Sequence, residues 1–166
     1  MTSSKGQTQS KLLGRLKALA APEKNGVKKF VRVGVEDVLE AAFEDGVEKH
    51  TFTEEEHQEF ALLITKTIDI INRAVLEIGL KFDSDRGLYN LMLRSGLQFI
   101  VDKFGSNPDK EQQAWEKKLK CSIKTVDEGI QNWRDCDYFT EDNVAHSYED
   151  LCRPPGVPES HTWWLA

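Results

Sequence analysis

The C-terminal region contains four side chains of the types that bind zinc. They are Cys136, His146, Cys152 and His161. Structural zinc sites usually begin with two ligands only a few residues apart, because one tight turn then presents both of them to the ion. The gaps here are ten, six and nine positions. We therefore predict no metal and no cofactor, and a metal-dependent enzyme that uses this set is kept only as a further alternative.

Two other patterns of metal ligands are incomplete. Glu54 and His57 stand three residues apart, as in the Glu-x-x-His element of di-iron bundles, but the sequence has no second such element. The segment that starts at Asp83 begins like a calcium-binding loop. It has Leu88 at the sixth position, where that loop needs glycine, and Arg94 at the twelfth, where it needs glutamate. Neither pattern predicts a metal site, and the first is better interpreted as the start of a helix.

The sequence lacks the short motifs of common nucleotide-binding and hydrolytic enzymes. It has no glycine-rich loop ending in Lys-Ser or Lys-Thr, no dinucleotide-binding fingerprint and no Gly-x-Ser-x-Gly motif. We therefore predict that the chain is not an enzyme. Its function is expected to be the binding of another molecule.

Charge is distributed unevenly along the chain. The net charge is −6, from 22 basic and 28 acidic side chains, yet residues 1–33 carry eight basic side chains and one acidic side chain. A basic arm can bind phosphates by releasing their counterions, or bind an acidic protein surface by the same attraction. The residues predicted to do so are Lys11, Arg15, Lys17, Lys28, Lys29 and Arg32. The alternative is that they keep the N-terminus soluble and fold back on the acidic body.

An acidic cluster supports a second hypothesis. The chain would then be an inhibitor or regulator whose carboxylates stand where phosphates would lie in the nucleic-acid-binding groove of another protein. The residues of this cluster are Glu36, Asp37, Glu40, Glu44, Asp45 and Glu48. A solvated helix face would give the same pattern.

Two adjacent tryptophans, Trp163 and Trp164, follow a proline-rich stretch near the end of the chain. Burying such a ring stabilises a protein by roughly 2–3 kcal/mol, so these rings are costly to leave in water. Either the tail folds back and covers the body, or the tryptophans anchor a protein partner or a neighbouring subunit. The sequence favours a non-enzymatic accessory protein of a nucleic-acid-associated assembly, with the basic arm on phosphates and the tryptophans on protein.

The elements that position these residues are predicted to be helices. Leucines at one face of residues 10–21 predict a short basic amphipathic helix that ends before Pro22, and residues 27–33 suggest a short strand or an extended connector. A helix over about 35–45 should end near Gly46. Thr53 and Glu56 form a capping box, which places the start of a long helix at Glu54.

Further apolar periodicity predicts helices over residues 88–104 and from about 108, with a last short helix capped by Thr140. We predict an all-α fold: a bundle of four main helices with short terminal helices and extended N- and C-terminal tails. Residues 1–9 form a disordered polar N-terminus, residues 10–152 a single bundle domain and residues 153–166 the tail. With no apolar segment long enough to span a membrane and no signal-peptide run, the expected location is the cytoplasm. A homo-oligomer is possible.

Overall fold

The computed structural model describes residues 9–21, 31–80, 87–104, 110–135 and 152–164. The described residues fold into five α-helices and no strand, which confirms the all-α prediction. The helices are α1 (Lys11–Ala20), α2 (Val31–Val47), α3 (Glu54–Leu80), α4 (Gly87–Phe104) and α5 (Lys110–Asp135). None of the described helices is long and apolar enough to cross a membrane.

The four longer helices form two closely packed pairs, α2 with α4 and α3 with α5. Helix α1 lies against both α2 and α3, and α4 also contacts α5. The apolar faces meet in one continuous core, to which every helix contributes. The predicted bundle therefore has α1 as a short helix that bridges α2 and α3.

Helix α2 differs from the sequence prediction at both ends. It begins at Val31, so residues 31–33 are helical and the predicted strand or connector is wrong there, whereas residues 27–30 lie outside the described part of the chain. At its other end, Lys49 adopts a positive φ of 54° and the amide of His50 donates to the carbonyl of Asp45 at 2.9 Å. The helix is thus closed by a left-handed Lys49 rather than by Gly46.

Glycines let two helices come close to their neighbours. A Cβ atom on Gly96 of α4 would overlap the backbone carbonyl oxygen of Leu39 in α2, and one on Gly46 of α2 would overlap the ring of Phe99 in α4. Gly96 thus lets the backbones of α2 and α4 approach each other closely. Gly46 has the same packing role from the opposite side.

Helix α3 begins with the predicted capping box. The amide of Thr53 donates to Glu56 Oε1 at 3.1 Å, and the amide of Glu56 donates to Thr53 Oγ1 at 3.2 Å. The reciprocal bonds satisfy two amides that have no partner within the helix. Downstream, a seam of apolar residues of α3 is buried in the core, at Ile64, Ile71, Val75 and Ile78, and Phe60 is buried as well.

The described part of the C-terminal tail, residues 152–164, packs on the bundle. Val157 and Trp164 belong to the same buried cluster as the helices. The helix predicted to be capped by Thr140 lies outside the described residues. The two tail positions that enter the core are thus separated from α5 by a segment of which nothing is described.

Candidate functional site

Helix α1 is a basic amphipathic helix seated between two other helices. Its leucine face, Leu12, Leu13 and Leu16, is buried in the core. Its lysines lie on the outer face, with side chains about half exposed. The predicted helix is confirmed, and its apolar face is used within the chain.

A buried carboxylate from α2 caps the N-terminus of α1. Asp45 is 2% exposed; its Oδ2 accepts hydrogen bonds from Ser10 Oγ at 2.6 Å and from the amide of Leu12 at 3.1 Å, and its Oδ1 accepts from the amide of Lys11 at 3.3 Å. Ser10 Oγ in turn accepts from the amide of Leu13 at 3.2 Å. A negative charge here is also favoured by the helix dipole. Asp45 therefore has a structural role and is not part of an acidic surface.

The remaining carboxylates near α1 form two rows. The α2 row consists of Asp37, Glu40, Glu44 and Glu48, and the α3 row consists of Glu56 and Glu59. Residues of the α2 row are three or four positions apart, so they share one face of the helix. Glu36, which the sequence hypothesis included, is buried, whereas Asp37, Glu40 and Glu44 are half-buried and Glu48 is exposed.

The lysines of α1 are paired with these rows. Lys11 Nζ lies 3.1 Å from Glu44 Oε2 and 3.6 Å from Glu48 Oε1, and Lys17 Nζ lies 2.9 Å from Glu59 Oε1. The hydrogen bond and charge of Glu44, together with the charge of Glu48, raise the pKa of Lys11. Lys11 and Lys17 therefore fold back on the acidic body, as the alternative interpretation of the basic arm expects.

Two clefts run along α1. The cleft between α1 and α2 has a volume of about 570 Å³, and its lining includes Lys11, Gly14, Arg15, Asp37 and Glu40. The cleft between α1 and α3 has a volume of about 310 Å³ and is lined in part by Lys17 and Glu59. Both clefts therefore contain acidic and basic side chains together.

Of the six predicted basic residues, the structure brings three together on one helix. Lys11, Arg15 and Lys17 all lie on α1 beside the acidic rows. Arg32 lies in the first turn of α2, and its side chain is outside the described part of the structure, as are Lys28 and Lys29 entirely. The binding role assigned to these residues stays a prediction.

The tail tryptophans lie against α4 and α2. Trp164 is 4% exposed, and its ring centroid lies 6.4 Å from that of Phe43 in α2. Trp163 is partly buried, stacked on His161 with centroids 4.6 Å apart, and the guanidinium carbon of Arg94 lies 4.1 Å from its ring centroid. The tail thus folds back and covers the body, which is the first of the two alternatives given for the tryptophans. The prediction that Trp163 and Trp164 bind a partner would require the tail to leave the bundle.

One buried hydroxyl group ties the tail to α4. Ser95 Oγ accepts hydrogen bonds from Nε1 of Trp163 at 3.0 Å and from Nε1 of Trp164 at 2.7 Å. An indole N–H can only donate, so these bonds use both lone pairs of the hydroxyl oxygen. The hydroxyl proton is then directed to Nδ1 of His161, at 2.9 Å. His161 must accept at Nδ1, which makes it the neutral tautomer with its proton on Nε2.

The Ser95–His161 pair is closed to substrates in this conformation. Ser95 is 0% exposed and His161 is 1% exposed, and the two indole groups cover the hydroxyl. Burial lowers the pKa of His161, the charges of Arg94 and Arg153 lower it further, and Asp102 opposes them. The pair can therefore hold the tail in place, but it does not present a nucleophile to solvent.

A polar cleft of about 570 Å³ opens beside the tail, between α4 and α5. The buried guanidinium of Arg94 donates from Nε to Asp127 Oδ1 at 2.7 Å and from Nη1 to Gln98 Oε1 at 3.1 Å. Asp102 also lines the cleft, and Gln98 donates to it at 2.8 Å. Arg94 is therefore neutralised by its own neighbours and stacked on Trp163.

Arg94 and Ser95 are partners of the tail that the sequence does not predict. Both interrupt an otherwise apolar helix, which is the one signal that could have indicated them. A buried polar residue needs a partner, but periodicity does not say which segment supplies it. That partner comes from residues more than sixty positions away in the chain.

The structure describes two of the four candidate zinc ligands, Cys152 and His161. Cys136 and His146 lie outside the described residues, Cys152 is half-buried, and His161 is bonded to Ser95. Among the described side chains, no group of three or more cysteine, histidine or acidic residues could hold a metal ion. Comparisons with protein-family models, with curated proteins and with solved structures found no match to this chain.

Proposed function

We propose that this chain is a non-enzymatic regulator that binds the basic surface of another protein through the acidic rows beside α1. The observation that carries the proposal is the position of α1 between acidic residues of α2 and α3. A basic amphipathic helix already lies between carboxylates of α2 and α3, with Lys11 on Glu44 and Lys17 on Glu59. Asp37 and Glu40, which line the open cleft beside α1, are complementary to basic side chains of a partner.

The charges around α1 favour a basic partner over nucleic acid. A phosphate that approached Lys11 would also approach Glu44 and Glu48, whose oxygens lie 3.1 and 3.6 Å from the ammonium group. Like charges at such short range oppose binding, and the neutralised lysine releases few counterions. Nucleic-acid binding by the basic arm, the first hypothesis from the sequence, therefore rests on basic residues other than Lys11 and Lys17.

The α2 row is a line of negative charges and in this respect resembles the phosphates along a nucleic-acid strand. Its four carboxylates lie on one helical face and extend over about 16 Å of the axis, from the rise of an α-helix. Among the described side chains, Lys11 is the one paired with the row, at Glu44 and Glu48. Asp37 and Glu40 line the open cleft and remain on the side from which a partner would approach. The partner class supported by this arrangement is a protein whose basic groove normally holds nucleic acid.

The proposal is tested with a polyarginine peptide and a random-sequence DNA duplex as probes. At low salt the protein should bind the peptide and not the duplex. The double variant Asp37→Asn, Glu40→Gln should weaken peptide binding about five- to tenfold, because rim charges of this kind contribute about 1 kcal/mol together. Fluorescence anisotropy measures both titrations, and added salt should reduce the affinity steeply.

The matched control is the double variant Glu77→Gln, Glu128→Gln. It makes the same change in net charge at exposed positions of α3 and α5, away from α1. Peptide affinity should then change less than twofold. Binding of the DNA duplex in place of the peptide would contradict the proposal and favour the nucleic-acid hypothesis. Equal losses in the two double variants would show that only net charge matters, which also contradicts it.

A further inference from the structure

We propose that the C-terminal tail is a pH-sensitive latch that protonation of His161 opens, releasing Trp163 and Trp164. The latch consists of Ser95, His161, Trp163 and Trp164. This inference rests on the hydrogen bonds of the tail and is independent of the function proposed for the acidic rows.

The closed latch has no place for a second proton on His161. A proton on Nδ1 would point at Ser95 Oγ, whose two lone pairs already accept from Trp163 and Trp164. The hydroxyl could accept from Nδ1 only by giving up one of the indole groups. Protonation of His161 therefore breaks the hydrogen bond from Ser95 Oγ to Nδ1 and brings two donors face to face. The two donors separate when the tail leaves α4.

The surroundings of His161 also oppose a positive charge. The ring lies between Phe99, with centroids 5.0 Å apart, and Trp163, and it is 1% exposed. Among the described residues, the charged groups that act on it are Arg94 and Asp102 of α4 and Arg153 of the tail. Helix α2 contributes Phe43 and Val47 to the contact with the tail, and neither carries charge. Arg94 is paired with Asp127 of α5, and Arg153 lies 3.9 Å from Glu159 of the tail, so burial among the aromatic rings is the main obstacle to a positive charge on His161.

The direction of the pH effect follows from linkage. Burial lowers the pKa of His161 below its ordinary value of about 6.5 when the latch is closed. At a pH between the lowered pKa of the closed tail and the ordinary pKa of about 6.5, His161 is protonated in the open tail but not in the closed tail. The equilibrium between open and closed tail therefore shifts toward the open form by up to about tenfold for each unit of pH. The latch is closed at neutral and alkaline pH and loosens as the pH falls below about 6.5.

Opening would change the surface of the protein. Trp164 would leave the core, and Trp163 would lose its contacts with Arg94 and His161. Two adjacent exposed indole rings form the kind of apolar surface that binds protein. The latch would thus make the tryptophans available to a partner only in acidic conditions.

The test is NMR of the full chain at about pH 8 and about pH 5, where an ordinary histidine changes charge. The readouts are the tautomer of His161 and the solvent exchange of the Trp163 and Trp164 indole protons. A reference variant, His161→Asn, keeps an acceptor oxygen near the position of Nδ1 and cannot titrate. A control variant, His57→Gln, removes an exposed histidine at the start of α3.

At about pH 8, His161 should carry its proton on Nε2, and both indole protons should be protected. At about pH 5, both should exchange faster than in His161→Asn, by up to about tenfold for each unit of pH below about 6.5. The His57→Gln protein should behave as the natural sequence does. A proton on Nδ1 at about pH 8, or equal exchange with and without His161 at about pH 5, would overturn the proposal. If His161→Asn fails to fold, the tautomer and the pH dependence of exchange in His57→Gln decide the matter.

Discussion

At the scale of single residues, Asp45 shows that the role of an acidic side chain depends on its place in the fold. In the sequence it belongs to a cluster that alternates with apolar residues. In the structure its carboxylate accepts from Ser10 Oγ and from the amides of Lys11 and Leu12, all of which are 33 to 35 positions away. It connects the end of α2 to the start of α1.

We expect Asp45→Ala to lower the free energy of unfolding by about 2–4 kcal/mol. The substitution leaves a buried hydroxyl and two helix amides without their acceptor, and it removes a favourable charge from the helix N-terminus. Urea unfolding followed by circular dichroism measures the change. Asp37→Ala is the control, because Asp37 lies on the rim of the α1–α2 cleft and should change stability by only about 0.5 kcal/mol. Similar losses for the two variants would contradict the capping role.

Ser95 is a second residue whose role depends on distant partners. One hydroxyl serves Trp163, Trp164 and His161, which come from a segment that follows the last long helix. Its full set of bonds determines which nitrogen of His161 carries the proton. The latch therefore depends on the fact that one hydroxyl group accepts two hydrogen bonds and donates one.

At the scale of elements, the close crossing of α2 and α4 depends on glycine. The backbone of Leu39 lies where a side chain at position 96 would begin. Any larger residue at that position must push the two helices apart, and these helices form one of the two most extensively packed pairs among the described helices.

We expect Gly96→Ala to lower the free energy of unfolding by about 3 kcal/mol or more, because the added methyl group meets backbone that cannot rotate away. Gly14→Ala provides the contrast. A Cβ at Gly14 meets nothing within 4 Å, so this change in α1 should raise stability by about 0.5–1 kcal/mol through helix propensity alone. Urea unfolding of both variants measures the difference, and a tolerated alanine at position 96 would show that the crossing is looser than described.

At the scale of the whole molecule, the tail is part of the bundle. Val157 and Trp164 enter the same core as the five helices, and Arg153 Nη1 donates to the carbonyl of Val157 at 2.6 Å within the tail. The described tail thus completes the surface formed by α2 and α4.

We expect deletion of residues 159–166 to lower the free energy of unfolding by about 3–5 kcal/mol at neutral pH, the usual cost of removing a buried tryptophan. Urea unfolding measures the loss. Light scattering should show the same number of chains per particle before and after the deletion, because the tryptophans contact their own chain. Unchanged stability together with a smaller assembly would instead support the prediction that the tail anchors a neighbouring subunit.

The amino-acid sequence by itself determined the helices. The capping box at Thr53 and the seam of α3 followed from local spacing, because a helix repeats every 3.6 residues and its caps lie within one turn. Local spacing also identified the leucine face of α1. It misplaced the start of α2, where β-branched residues at 31 and 33 favour extended structure locally but belong to the helix.

Only the tertiary structure decided what the charged and polar side chains do. The pairing of Lys11 with Glu44, the cap from Asp45 and the junction at Ser95 all join residues more than thirty positions apart. Periodicity shows which face of a helix is buried, but it does not show which helix or tail lies against that face. The physical reason is that a hydrogen bond or ion pair requires two atoms within a few ångströms of each other, and for distant residues the packing of the chain determines that distance.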